Sequence, residues 1–199
     1  GNANLSGTNL TDANLNDINL NGTDLSNANL TGATLHTANL QSANLQDANL
    51  TGADLSLANV KYAQLYSANL TDATLVGADF TQTYLNDADL TGVIIDPSHS
   101  SFSTIFERTN FTNATFDTNF NLSGYDLIDV NFSGATLVGA DLTGANLTDA
   151  DLTDANLLDA DLTGANLFNT DYNVNGLTQS QLDSVFFIYR PGTENIIFE

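Results

Sequence analysis

The chain has no cysteine, no methionine and no tryptophan, and only 2 prolines, 2 histidines and 3 basic residues among 199. Each shortage excludes something. Without cysteine there is neither a disulfide framework nor a thiolate metal site. Three bases stand against 24 acids, for a formal net charge of −21. Such a chain offers no basic surface to nucleic acid or to an anionic membrane. No apolar run approaches the ~18–20 residues of a membrane span, and no secretory signal stands at the start. The sequence opens in mid-repeat with GNANL, which leaves room for a lost leading segment. A soluble protein is expected, and both a cytoplasmic and an exported one fit.

What is present is order. Strong acidity often accompanies disorder, but 42% of the residues are hydrophobic and they are strictly spaced. In GADLTGANLTDADLTDANL, residues 139–157, the pattern repeats every five residues. A large apolar residue, here called the centre, occupies positions 5, 10, 15 and onward to 90, with Val60 and Phe80 as variants. Two residues before it stands a small one, as at Ala3, Ala13, Ala28, Ala33, Ala38 and Ala43. On an α-helix five residues advance ~140° beyond a full turn, so the centres would make no stripe. On a straight strand five is odd, so successive centres would face opposite sides. The small residue and its centre share a face only if the chain turns after every centre. It then closes into stacked coils, a solenoid.

The coil size is also written in the sequence. Thr11, Thr31, Thr51, Thr71 and Thr91 follow centres at intervals of twenty, and Asn9, Asn29, Asn49, Asn69 and Asp89 precede the same centres. Twenty residues are four quintets, a square coil with one centre per side. The frequent TG pairs place glycine two after the centre, where a turn needs φ > 0. The position before the centre takes asparagine or aspartate almost interchangeably, which suggests a short hydrogen-bonding side chain for the turn or the ladder.

Residues 3–95 and 120–172 carry the pattern A(D/N)LXX, and in this the chain resembles the pentapeptide repeat family over about three quarters of its length. The resemblance implies an all-β fold, a right-handed quadrilateral β-helix (β-solenoid) with tight turns. About nine coils at ~4.8 Å make a rod ~40 Å long. Each buried leucine stabilises it by ~1.5–3 kcal/mol before chain entropy is subtracted.

The phase slips by one residue twice, near 96–105, around Pro97, and at 117–121. Both read as bulges or short loops in one solenoid spanning 1–177, with two linked domains as the rival. Leucine gives way to phenylalanine there, at Phe102, Phe106, Phe111, Phe116, Phe120 and Phe132, rings that fill the space a bulge opens. After Leu177 the repeat stops. Thr178 and Gln181 have the spacing of a capping box, with Leu177 and Leu182 placed as a hydrophobic staple. Residues 178–199, a short helix and tail, are expected to cap the last coil.

Chemistry is scarce. His36 and His99 are about three coils apart, with no serine–carboxylate pattern beside either. Asp129 with Asp149, Asp141 with Asp161, and Asp151 with Asp171 are pairs at one-coil spacing, which acid–base work or a divalent cation would use. On a flat outer wall a solvated acidic column is the simpler reading. No enzyme, cofactor or metal is expected.

Three functions fit. The first is a structural or protein-interaction rod, a monomer or an end-to-end homodimer, whose partner is an unidentified protein, basic if the acidity is what it reads. Its candidate contacts are Asp141, Asp149, Asp151, Asp154, Asp159 and Asp161, and a patch of Lys61, Tyr62, Tyr66 and Tyr84 expected to meet near one corner. A second patch is Ile128, Val138, Leu158 and Phe168, open or covered by the tail. The second function follows from the resemblance: some family members mimic duplex DNA and bind DNA gyrase. A ~40 Å stretch of B-DNA carries ~24 charges, close to the −21 here. The third is ice or ordered-water binding through the threonine column.

Overall fold

The protein is described by a computed structural model covering residues 3–95, 106, 108–116, 120–171, 177–185 and 187–189. Where the residues after a centre are described, a tight turn follows it, closed by a backbone bond from the residue three later. Ala33 N–H donates to Leu30 O at 3.0 Å and Ala53 N–H to Leu50 O at 2.9 Å. The third residue of the turn has positive φ. Glycine is comfortable there, as at Gly32 (φ 66°) and Gly52 (φ 65°). The same conformation is imposed on Thr37 (φ 57°), Leu57 (φ 59°) and Tyr62 (φ 60°), residues that avoid it when free. The stack therefore dictates the turn, and the local residue tolerates it.

The straight part between turns is short. The residue before each centre bridges in parallel to its equivalent twenty residues on, as in Asn9–Asn29–Asn49–Asn69. Neighbouring coils exchange backbone bonds on both sides of that bridge: Leu50 N–H to Asn69 O at 2.6 Å, and Asn69 N–H to Ala48 O at 2.9 Å. The turn adds a third, Gly52 N–H to Thr71 O at 2.8 Å. Backbone polarity is thereby satisfied coil by coil.

Four walls result. The first is built on Leu5, Leu25 and so on to Leu167, the second on Leu10 to Leu152, the third on Leu15 to Leu157, and the fourth on Leu20 to Leu162. The second wall carries a bridged column of nine residues from Asn9 to Asp171. Alanines and centres both point inward, and Leu25 to Leu70, Val60 included, are fully buried. At two threonines in the small position the hydroxyl bonds within the core wall: Thr83 Oγ1 donates to Val60 O at 2.9 Å and Thr170 Oγ1 to Leu147 O at 2.7 Å.

Both phase slips lengthen a coil by one residue without breaking the stack. Ile94–Ile95 (β1) pairs in parallel with Thr115–Phe116 (β2), Ile94 facing Thr115. Asp89 bridges Asn110 and Asn110 bridges Asn131, intervals of twenty-one, while Asn121 to Asp141 returns to twenty. Phe106, Phe111, Phe116, Phe120 and Phe132 are buried and packed on one another, Phe111 stacked on Phe132 with ring centroids 5.3 Å apart. Pro97, His99 and Phe102 lie outside the described residues, as do 96–105 and 117–119 of the two slips.

At the far end Asn166–Phe168 (β3) pairs in parallel with Phe187–Tyr189 (β4). Between them Gln179–Ser184 (α1) is a six-residue helix. Thr178 is its N-cap, with both bonds of the capping box formed. Gln181 Nε2 also donates to Leu157 O at 3.1 Å and Ala160 O at 2.9 Å, and Gly164 N–H donates to Ser184 O at 2.8 Å. Leu182 is buried, and Leu177 packs against the core. Residues 190–199 lie outside the described residues. Among the described residues no helix is long and apolar enough to cross a membrane.

Candidate functional site

The outer surface is set by the residue before each centre. Its Oδ1 turns back to accept the N–H two residues on: Asn49 Oδ1 from Thr51 at 3.1 Å, Asp54 Oδ1 from Ser56 at 2.9 Å. Acid and amide do this equally well. In the ladder they differ, which corrects the expectation of interchangeability. Only an amide can donate to the coil before it, as Asn44 Nδ2 does to Asp24 Oδ1 at 3.2 Å and Asn110 Nδ2 to Asp89 Oδ1 at 3.0 Å. Aspartate can only accept.

The threonine column is real and lies along the edge between the second and third walls. Its hydroxyls, however, are engaged: Thr11, Thr31, Thr51 and Thr71 Oγ1 donate to Asn9, Asn29, Asn49 and Asn69 at 2.6–2.7 Å. Thr91 does the same to Asp89 at 2.6 Å. Hydroxyl protons committed to the turn leave little donor capacity to order water.

The six aspartates ring the rod. Asp141 and Asp161 are bridged neighbours on the fourth wall, and Asp151 stands on the opposite second wall between Asn131 and Asp171. Asp149, Asp154 and Asp159 occupy turns at three different edges, each at φ 58°. Asn169 Nδ2 donates to Asp149 at 2.5 Å. The Thr163 hydroxyl and then its N–H hold the Asp161 carboxyl below the usual carboxylate range. An open polar recess of about 270 Å³ lies beside the contact of α1 with the last coil, lined by Asp159, Asp161, Thr163, Thr178, Ser180 and Ser184 among others. Among the described residues no group of three or more acids and histidines is placed to hold a metal ion.

The four-residue patch divides. Tyr66 and Tyr84 stack, with centroids 5.6 Å apart and planes at 29°. Tyr84 stands directly above Gln64 on the first wall. Lys61 and Tyr62 form the turn before that wall and Tyr66 begins the turn after it, so the four do not share a corner. Lys61 Nζ instead reaches Asp79 on the fourth wall at 2.8 Å. The hydrogen bond and charge of Asp79 raise the lysine pKa. Burial pushes the Asp79 carboxyl upward, but bonds from Lys61 and Thr81 outweigh it and the net shift is down. Arg108 makes a paired contact with Asp87, at 2.6 and 2.9 Å, and its bond lowers that carboxyl.

The aliphatic patch divides as well. Val138 and Leu158 stack at the edge between the third and fourth walls, where Gly139 N–H donates to Leu158 O at 2.8 Å. Ile128 and Phe168 lie on the diagonally opposite edge. The Val138–Leu158 edge also carries Leu57 and Val76, with Ile94 on the adjoining third wall, all exposed. Sequence reading missed that alignment. Counting in twenties, then twenty-one across each slip, would have found it.

The pentapeptide repeat model matches in 8 copies over residues 3–96 and 104–171. The chain belongs to the pentapeptide repeat family. It is similar to HetL, a pentapeptide repeat protein involved in heterocyst differentiation regulation from the cyanobacterium Nostoc sp. strain PCC 7120. The two are 30% identical over 86% of this chain and 90% of that one, with a TM-score of 0.49. A second pentapeptide repeat protein from the same Nostoc strain is 39% identical over 44% of this chain and 70% of its own, with a TM-score of 0.42. Full-length QnrB1, a plasmid-mediated fluoroquinolone resistance protein, shares the fold at a TM-score of 0.60 and 17% identity, over 92% of this chain and 88% of that one. No curated protein matches the chain. The family fold is a right-handed β-helix, and the bridges at intervals of twenty make it four-walled here.

Proposed function

We propose that this pentapeptide repeat protein is a non-enzymatic interaction rod, a solenoid of residues 1–177 closed by residues 178–199, whose walls meet a basic protein. The observation that carries this reading is the disposition of charge. Aspartates at 141, 149, 151, 154, 159 and 161 ring one end, while Lys61 and Arg108 are each held on an aspartate. An acidic outer surface whose cations among the described residues are paired attracts basic partners and repels copies of itself. The bonds from Gln181 to Leu157 O and Ala160 O support residues 178–199 as the cover of an otherwise open sheet edge.

The test is capture from native extract on the immobilised chain, with elution by salt and identification of what elutes. Basic proteins should dominate at physiological salt, and a variant with the six aspartates changed to asparagine should retain far less. Retention that is indifferent to those substitutions defeats the reading.

A second reading, an acidic DNA mimic, is favoured by one observation: the acids encircle the rod as phosphates encircle a duplex. Their concentration near one end argues against it.

A further inference from the structure

We infer that the Tyr66–Tyr84 stack is a docking point for an arginine side chain of the basic partner, an inference that rests on the interaction-rod reading. The rings are out of place by the logic of their wall. Among the described residues the outward positions of the first wall are otherwise Asn4, Asp24, Asn44, Gln64, Asp126, Asn146 and Asn166. At Asn146 the side-chain oxygen accepts from the Thr148 hydroxyl at 2.7 Å to brace the turn. Tyr84 has no carbonyl oxygen for that purpose and no amide for the ladder. Nor does it serve the core, being 38% exposed. What it does is pack face to face with Tyr66 at 5.6 Å. Tyr62, 46% exposed, stands at the other edge of the same wall.

The surroundings select a cation. The face of a tyrosine ring is negative and attracts Lys or Arg within about 6 Å of its centre. Asp47 lies one coil beneath Tyr66 on the same edge, its N–H donating to Tyr66 O at 2.9 Å. The protein's nearby cations are not offered to a visitor, because Lys61 is held on Asp79 and Arg108 on Asp87. Arginine is the better match than lysine. Its planar guanidinium stacks on a ring and still directs N–H groups sideways to a carboxylate.

The probe is acetyl-hexa-arginine amide, with acetyl-hexa-lysine amide at equal charge, titrated into the full chain carrying ring-labelled tyrosine. The expected result is movement of the Tyr66 and Tyr84 ring resonances with the arginine peptide and less with the lysine peptide, while half-buried Tyr125 stays still. Tyr66→Leu with Tyr84→Leu should weaken arginine-peptide binding about fivefold, the size of an exposed cation–π contact. Tyr66→Phe with Tyr84→Phe should keep it, which separates ring from hydroxyl. Matching thermal midpoints for the two double variants exclude misfolding. Still rings, with binding that depends only on the aspartates at 141–161, would overturn this inference and leave the rod reading standing. Equal response to both peptides with the leucine variant unaffected would also overturn it. No binding of either peptide at low salt would overturn both.

Discussion

Asn146 donates its Nδ2–H to Oδ1 of Asp126, 3.1 Å away and one coil earlier, while its own Oδ1 accepts the Thr148 hydroxyl at 2.7 Å. Asn166 Nδ2 repeats the donation onto Asn146 Oδ1 at 3.1 Å. One amide thus serves both turn and ladder. A carboxylate in its place can still accept, from the turn and from Asn166, but it has nothing to donate and faces the Asp126 carboxylate.

Asn146→Asp should therefore cost about 1.5–3 kcal/mol, the worth of a hydrogen bond to a charged acceptor, with repulsion against Asp126 added. Asp161→Asn should do the reverse, since it puts a donor over Asp141, its bridged neighbour. A gain of about 1 kcal/mol is expected. Denaturant unfolding of both variants checks the signs. If both shift stability the same way, the ladder asymmetry is wrong.

Much of this was legible beforehand, and the reason is geometric. A period of five permits no helix or flat strand, and threonines at twenty count the walls, so fold, coil size and inside–outside pattern follow from spacing. The capping box at Thr178 and Gln181 was legible because it is local. The division of Lys61 from Tyr66 was not, because residues five apart occupy consecutive edges of a square coil and proximity in sequence misleads. Likewise Ile128 and Val138 are ten apart, half a coil, and so fall on diagonal edges. The left-handed turn at Leu57 and Tyr62 was hidden too, since neither residue favours it.

Leu50→Asp should unfold the chain or badly destabilise it. Leu50 is fully buried among leucines, where an unpaired carboxylate has no water or partner. Thr51→Asp, at the adjacent turn, should cost far less, because that side chain reaches solvent. Thermal midpoints compare them, and equal values would refute the packing.

Acid should weaken the turn at Asp54 specifically. Its carboxyl is held below the usual 3.8, first by the Ser56 hydroxyl, against the opposing effect of burial. A depressed carboxylate contributes stability above its unfolded pKa and loses it as pH falls through the folded value. Asp54→Asn keeps an oxygen for Ser56 but has nothing to protonate. Between pH 5 and pH 3 the parent midpoint should thus fall further than that of the variant. Parallel curves would show that the Ser56 bond does not depend on charge.

The DNA-mimic reading yields to one titration. A mimic should inhibit gyrase supercoiling in physiological salt. Here the column positions before the centres of the first half are largely asparagine, while Asp141, Asp149, Asp151, Asp154, Asp159 and Asp161 gather in a short stretch near one end. A charge girdle one or two coils tall presents much less than the ~40 Å of continuous phosphate that a DNA-binding protein reads. Attraction to it is mostly long-range and falls away as the screening length shortens to about 8 Å. The expected outcome is weak inhibition at low salt and none at physiological salt. Inhibition that persists at physiological salt, and disappears when the six aspartates become asparagines, would promote mimicry over the interaction rod. Inhibition that persists with all six replaced would place the contact elsewhere on the walls.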